Sequence, residues 1–182
     1  MNHTEAEIVH ALNRLIARVE MERITTQMIV DEAGVSRATF YRYFKDKYDV
    51  LNRNYKDLLD SCVRQCHNYQ ELFSMLYSFA RDEWSGFHRA FRTTGVNSFE
   101  SFITEYSRLV VETITAQNRN GAGLTEAEEL QLDVFCFGVS PMYREWTHSQ
   151  YALDPEEAAE ALFAIVPESL RNYCFPTKES DK

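Results

Sequence analysis

Apolar residues return along this chain at intervals of three and four, and hardly anywhere at intervals of two. That spacing gathers them on one face of a helix, whereas a half-buried strand needs strict alternation. Ile8, Ala11, Leu12, Leu15, Ile16 and Val19 form the first stripe, and Thr4 with Glu7 offers a capping box to start it. The spacing predicts a short second helix from Thr25 or Thr26, burying Ile29 and Ala33. Gly34 supplies a tight turn, since glycine takes positive φ without a steric penalty. Ser36 then caps a third helix from Arg37 to about Phe44. Asp46 caps a longer fourth one that carries Val50, Leu51, Leu58 and Leu59 toward Cys66.

The pattern continues downstream. Leu72, Phe73, Leu76 and Phe79 make one stripe, and a short segment around Phe87 and Phe91 ends near Gly95. Ser98 caps a helix carrying Phe99, Phe102, Ile103, Tyr106, Val110 and Ile114. The run 118–123, Asn-Arg-Asn-Gly-Ala-Gly, is a loop. Thr125 with Glu128 opens another helix through Leu132 and Phe135. Asp154-Pro155-Glu156-Glu157 starts the last, with Asp as cap and Pro at the first position. Pro141 and Pro167 fall inside the last two patterns, where each is expected to bend or break the helix. The prediction is an all-α protein of about nine helices.

Composition narrows the class. The 182 residues are 45% hydrophobic and 26% charged, the profile of a globular protein. No apolar run reaches transmembrane length, and the polar first residues carry no signal-peptide core, so a cytoplasmic location is expected. The net charge of −9 argues against nucleic acid as a partner until its distribution is examined. Residues 36–56 hold six basic side chains against two acidic ones. Cys62 and Cys66 share a helical face beside His67. A metal or redox pair is one reading and core packing the other. No second Cys/His pair completes a four-ligand zinc set, which favours packing. No metal or cofactor is expected.

The basic stretch lies in the segment predicted as two short helices around Gly34. A helix-turn-helix needs that arrangement, with apolar residues locking the pair. Ile29, Ala33, Val35, Phe40 and Phe44 can lock it, leaving Ala38, Thr39, Tyr41 and Arg42 pointing away, flanked by Arg37 and Tyr43. The run from Ala33 to Lys47, AGVSRATFYRYFKDK, resembles the signature of the TetR family of regulators over roughly residues 5–55. The resemblance implies an N-terminal three-helix DNA-binding domain, residues 1–47, and a C-terminal helical regulatory and dimerisation bundle, residues 48–182. It implies that Thr26 and Ser36 bond phosphates, that Arg37, Ala38, Thr39 and Tyr41 face the groove, and that Tyr43 and Lys47 hold the backbone; Arg42, on the same outward face, is a further candidate DNA contact. Arg37 is the favoured base reader, since a guanidinium pairs with both acceptors of guanine.

By the same resemblance the protein is a transcription regulator, expected to be a repressor, and not an enzyme. It is expected to bind a palindromic double-stranded operator as a homodimer joined through its last two long helices, at roughly 125–147 and 155–174. Gly138 would let the partner helix approach closely. The larger domain is expected to take a small apolar or aromatic ligand among Trp84, Phe87, Phe91, Phe99, Phe102, Tyr106, Phe137, Tyr143 and Trp146, although aromatics at helical spacing equally build a core. The stretch from Gly138 to Trp146, with the Asp154 segment, is similar to a branch including regulators of dihydroxyacetone kinase operons. That likeness allows a protein partner in place of a metabolite. A helix-turn-helix interaction module that reads no DNA is the rival. No phosphate loop, HExxH or nucleophile elbow supports catalysis.

Overall fold

The stripes read along the chain become the buried faces of helices. The computed structural model describes residues 2–82, 87–90, 98–147 and 153–171, with Tyr173 and Phe175. Its elements are α1 (His3–Ile16), a 3-10 turn (Met21–Arg23), α2 (Thr26–Ala33), α3 (Arg37–Tyr43) and α4 (Lys47–Gln65). There follow α5 (Tyr69–Asp82), α6 (Phe87–Ala90), α7 (Phe99–Asn118), α8 (Glu126–Thr147), α9 (Pro155–Ala164) and α10 (Glu168–Arg171). No strand occurs among the described residues. None of these helices is long and apolar enough to cross a membrane.

Side-chain caps set most of the helix starts. Thr25, Ser36, Asp46, Ser98 and Asp154 each accept a hydrogen bond from a backbone N–H of the first turn, where such donors have no partner inside the helix. The predicted start of α1 is corrected. Asn2 and Glu5, not Thr4 and Glu7, form its capping box, with both bonds at 2.9 Å. The two patterns have the same spacing. Asn2 sits two residues earlier in extended geometry, and its carbonyl accepts the first helical bond from Ala6 at 3.0 Å.

The first four helices share one core. Ile8, Leu12, Ile16, Met21, Ile24, Ile29, Phe40, Phe44, Val50 and Leu51 are all buried in it. α4 does not stop there. Its first half packs on α1, with Asn54 donating to Asn13 at 3.0 Å. Its second half turns Tyr55, Leu59 and Cys62 into the core shared with α5 and α7. α5 lies against α9, whose Ala158 and Ala159 are small enough for close approach, and α7 lies against α8.

The two prolines behave differently. α8 runs unbroken through Pro141, and beside it Ser140 donates its hydroxyl to the Cys136 carbonyl at 3.3 Å. The single helix predicted over 155–174 is broken instead: α9 ends at Ala164 and α10 starts only after Pro167. Cys62, Cys66 and Cys136 are buried and free, and no metal-capable cluster occurs among the described residues. Burial pushes their thiols up to about 11, 11 and 12 in that order, so they are packed, protonated groups. Cys174 lies outside the described residues.

Candidate nucleic-acid interface

α2 and α3 meet at a turn built on one left-handed residue. Gly34 adopts φ +66°, where a side chain would be strained, and its N–H closes back onto the Asp31 carbonyl at 3.3 Å. Val35 donates to the Val30 carbonyl at 3.1 Å, which completes a double C-cap on α2. The chain then re-enters a helix at once. Ser36 Oγ accepts from the Thr39 N–H at 3.0 Å, and its hydroxyl lies 2.8 Å from that of Thr39.

The faces of α3 divide sharply. Phe40 is fully buried and Phe44, just past the helix end, nearly so. Arg37, Ala38, Tyr41 and Arg42 are exposed. Tyr41 keeps 57% of its surface in solvent, with its ring edge-on to Phe40 at 5.4 Å. Arg37 and Arg42 make no ion pair among the described residues. By contrast, the acidic Glu32 of α2 is held by Arg14, at 2.8 Å, and by Arg18, both on α1. The hydrogen bond from Arg14, aided by Arg18, keeps its carboxyl below the usual range. Cations face outward on α3, while on α2 Glu32 is paired with Arg14 and Arg18, and Asp31 accepts only a neutral bond from Gln27 at 2.7 Å among the described contacts. That arrangement suits a phosphate-lined groove.

The sequence model describing bacterial regulatory proteins of the tetR family matches residues 8–53, which run from α1 into α4. Residues 8–53 thus form a TetR-type N-terminal segment. No curated protein matches the chain. Among solved structures it is similar to the dihydroxyacetone kinase operon activator DhaS, at 15% identity and TM-score 0.64, covering 94% of this chain and 98% of that one. It is also similar to a TetR transcriptional regulator from Streptococcus agalactiae, at 16% identity and TM-score 0.62, covering 90% and 93%. The fatty acid degradation regulator FadR from Bacillus halodurans matches at 17% identity and TM-score 0.57, covering 94% and 98%. At these identities the likeness is one of fold.

Within this TetR-type domain the predicted contact residues do not share one environment. Thr26 opens α2 but Thr25 is its cap, and Thr26, Thr39 and Tyr43 are half-buried. Lys47 differs most. Its ammonium donates to the carbonyls of Met21 at 2.7 Å, Glu22 at 3.0 Å and Ile24 at 2.8 Å. A lysine has three protons to donate, and all three are engaged. Partial burial lowers its pKa below the ordinary value, against the pull of Glu22 and Asp46. As placed, Lys47 ties the start of α4 to the segment leading into α2 and has no donor left for a phosphate.

The aromatic residues singled out for a ligand are scattered. Trp84 and Phe91 lie outside the described residues, as does the side chain of Phe87. Phe99 is buried against Tyr55, and Phe102 stacks on Tyr106. Tyr106 donates to Asp60 at 2.6 Å and accepts from Lys56 at 2.7 Å. Phe137 is 70% exposed. Trp146 packs edge-on to Tyr77 with ring centres 4.7 Å apart. Of the described members of the set, only Tyr143 lines the cavity, a space of about 70 Å³ between α4, α5, α7, α8 and α9. Its other aromatic walls are Tyr55, Tyr69, Phe73, Tyr77 and Phe135. Three of these, Tyr69, Phe73 and Tyr77, follow one another four apart along α5. That spacing was readable in the sequence as a single aromatic face.

Proposed function

We propose that this protein is a cytoplasmic transcription regulator of the TetR family that binds a near-palindromic operator as a homodimer and is controlled by a small molecule in the cavity beside α4. The observation that carries the DNA reading is the solvent-facing set Arg37, Ala38, Tyr41 and Arg42 on a helix locked by Phe40. Arg37 supplies a fork of donors for a guanine, and Ala38 leaves room for close approach to the bases.

The dimer reading rests on α8. Leu130, Val134 and Phe137 recur at i, i+4 and i+7, and between 66% and 70% of each is exposed. Gly138 beside them has no atom within 4 Å of where a Cβ would lie. Three large apolar side chains in one stripe, next to a bare backbone, suit a second copy of the same helix.

Control by a ligand rests on α4. Tyr55 and Leu59 of α4 form part of the cavity wall, and Lys47 at its other end grips the entry to α2. A ligand that favours one position of α4 would shift the pair of recognition helices, by no more than its differential affinity for the two positions.

Sequencing of genomic DNA captured by the purified protein at about 50 and 200 mM salt tests the reading. The expected result is a discrete near-palindrome with half-sites about one helical turn apart. Arg37→Ala should weaken binding to it by about 1–3 kcal/mol, mostly at one base position. Capture of no sequence above background at either salt would favour an interaction module that reads no DNA.

A further inference from the structure

The cavity beside α4 has a composition that restricts what enters it. Among the described residues, no Asp, Glu, Lys, Arg or His lines it. A charged ligand would shed its hydration there with no counter-charge to meet it. The space of about 70 Å³ is small. It is roughly twice the ~30 Å³ that one water occupies in the liquid, and about half of a ~150 Å³ cavity that accepts benzene. It therefore suits a compact molecule with few heavy atoms.

The polar groups in the walls are mostly committed. The Tyr55 and Ser107 side chains hydrogen-bond to each other. Tyr143 donates to the Leu76 carbonyl at 2.9 Å, and Ser140 to the Cys136 carbonyl at 3.3 Å. Tyr69 is the exception. It is only 2% exposed, yet its hydroxyl has no partner among the described residues. Its ring is fixed, stacked on Phe73 and met edge-on by Phe175 at 4.9 Å. A buried hydroxyl without a partner is costly enough to call for an occupant that supplies one.

We infer that the cavity binds a small uncharged alcohol or carbonyl compound, its apolar body against Tyr77 and Tyr143 and its oxygen accepting a hydrogen bond from the Tyr69 hydroxyl. This inference rests on the ligand-control reading above, and names its chemistry.

2-Propanol, propane and acetate are probes of similar small size that differ in a hydroxyl, no polar group, or a charge. Binding is read as a saturable change in the fluorescence of Trp146, which touches the cavity wall through Tyr77, in a Trp84→Phe background of the full chain. 2-Propanol is expected to bind about ten-fold tighter than either other probe. Tyr69→Phe should remove that preference. It should leave propane binding and the melting temperature unchanged or slightly raised, because it deletes a hydroxyl that has no partner among the described residues. Equal affinity for acetate, a preference that survives Tyr69→Phe, or no saturable binding by any probe each overturns the inference. In the last case a buried water satisfies Tyr69. Operator affinity is measured separately with and without 2-propanol. Selective binding that leaves it unchanged supports the ligand class and sinks the control reading. Operator release by a charged effector, without 2-propanol binding, supports control and sinks the class.

Discussion

Lys47 shows how one side chain's role depends on partners far along the chain. Family resemblance places it at the DNA backbone, yet its three protons go to carbonyls 23 to 26 positions earlier. Such a cage forms only once the 3-10 turn has folded over the start of α4, and no local spacing reveals it. Replacing the ammonium by an apolar end leaves the three carbonyls without their donor. Lys47→Met should therefore lower stability by about 2 kcal/mol, seen as a lower midpoint in urea. Operator affinity should fall with it. The slope of log K against log salt should stay as in the parent protein, whereas loss of a true phosphate contact would flatten it by about 1. Residues whose role is set by their own helix face were easier to read. Phe40 and Phe44 lie four apart, and both are buried as that spacing requires. Apart from Tyr143, the cavity-lining tyrosines were missed for the opposite reason. An aromatic face at helical spacing says that a residue points inward, but not whether the neighbours opposite fill the space.

At the scale of elements, caps and turns were the most legible features because each is a local bargain between one side chain and the next three residues. Ser36, Asp46, Ser98 and Asp154 start their helices where the sequence predicts. The slip at α1 arose because two Asx- or Thr-to-Glu pairs of equal spacing compete there, and the earlier one gains a longer helix. Pro167 breaks its predicted helix while Pro141 does not break α8. The difference lies in the neighbours. α8 packs along α7 on both sides of Pro141, with Tyr143 buried beyond it, so tertiary contacts hold the helix across the missing bond. The outer stripe of α8 is the element-level test of assembly. Val134→Glu places a charge in the middle of the stripe and should convert the proposed dimer to a monomer in light scattering, with helical circular dichroism unchanged. A Val134→Glu protein that stays dimeric would move the interface elsewhere.

Across the whole molecule, α4 is the shared part, and its hold on the second body is partly polar. Lys56 pairs with Asp60 at 2.7 Å, and Tyr106 of α7 bonds to both. Burial pushes the Asp60 carboxyl up, but hydrogen bonds from Lys56 and Tyr106 and the charges of Lys56 and Arg64 outweigh it, so its pKa lies below the ordinary value. A depressed carboxylate contributes stability that is complete above its unfolded pKa and is lost as pH falls through the folded one. The clasp should therefore be intact at neutral pH and fail as pH drops below about 4. Melting temperatures measured from pH 6 down to 3 should fall less steeply for Asp60→Asn than for the parent, with a difference of roughly 1 kcal/mol at pH 6. The sequence-level division at residue 47 falls at the first residue of this shared helix. Periodicity marks where a helix starts, and does not say how many cores it serves.

Arg89 of α6 reaches back to the end of α1, donating to the carbonyls of Ile16 at 2.9 Å and Ala17 at 2.6 Å. Those acceptors belong to the last turn of a helix, where carbonyls have no partner of their own and a cation is favoured. During synthesis the DNA-reading helices leave the ribosome first. Their opening helix nevertheless lacks its final cap until a residue more than seventy positions later has been made and α6 has docked. The N-terminal helices thus acquire their finished form only after α6 has been made and docked, which ties the end of α1 to the synthesis of a later part of the chain.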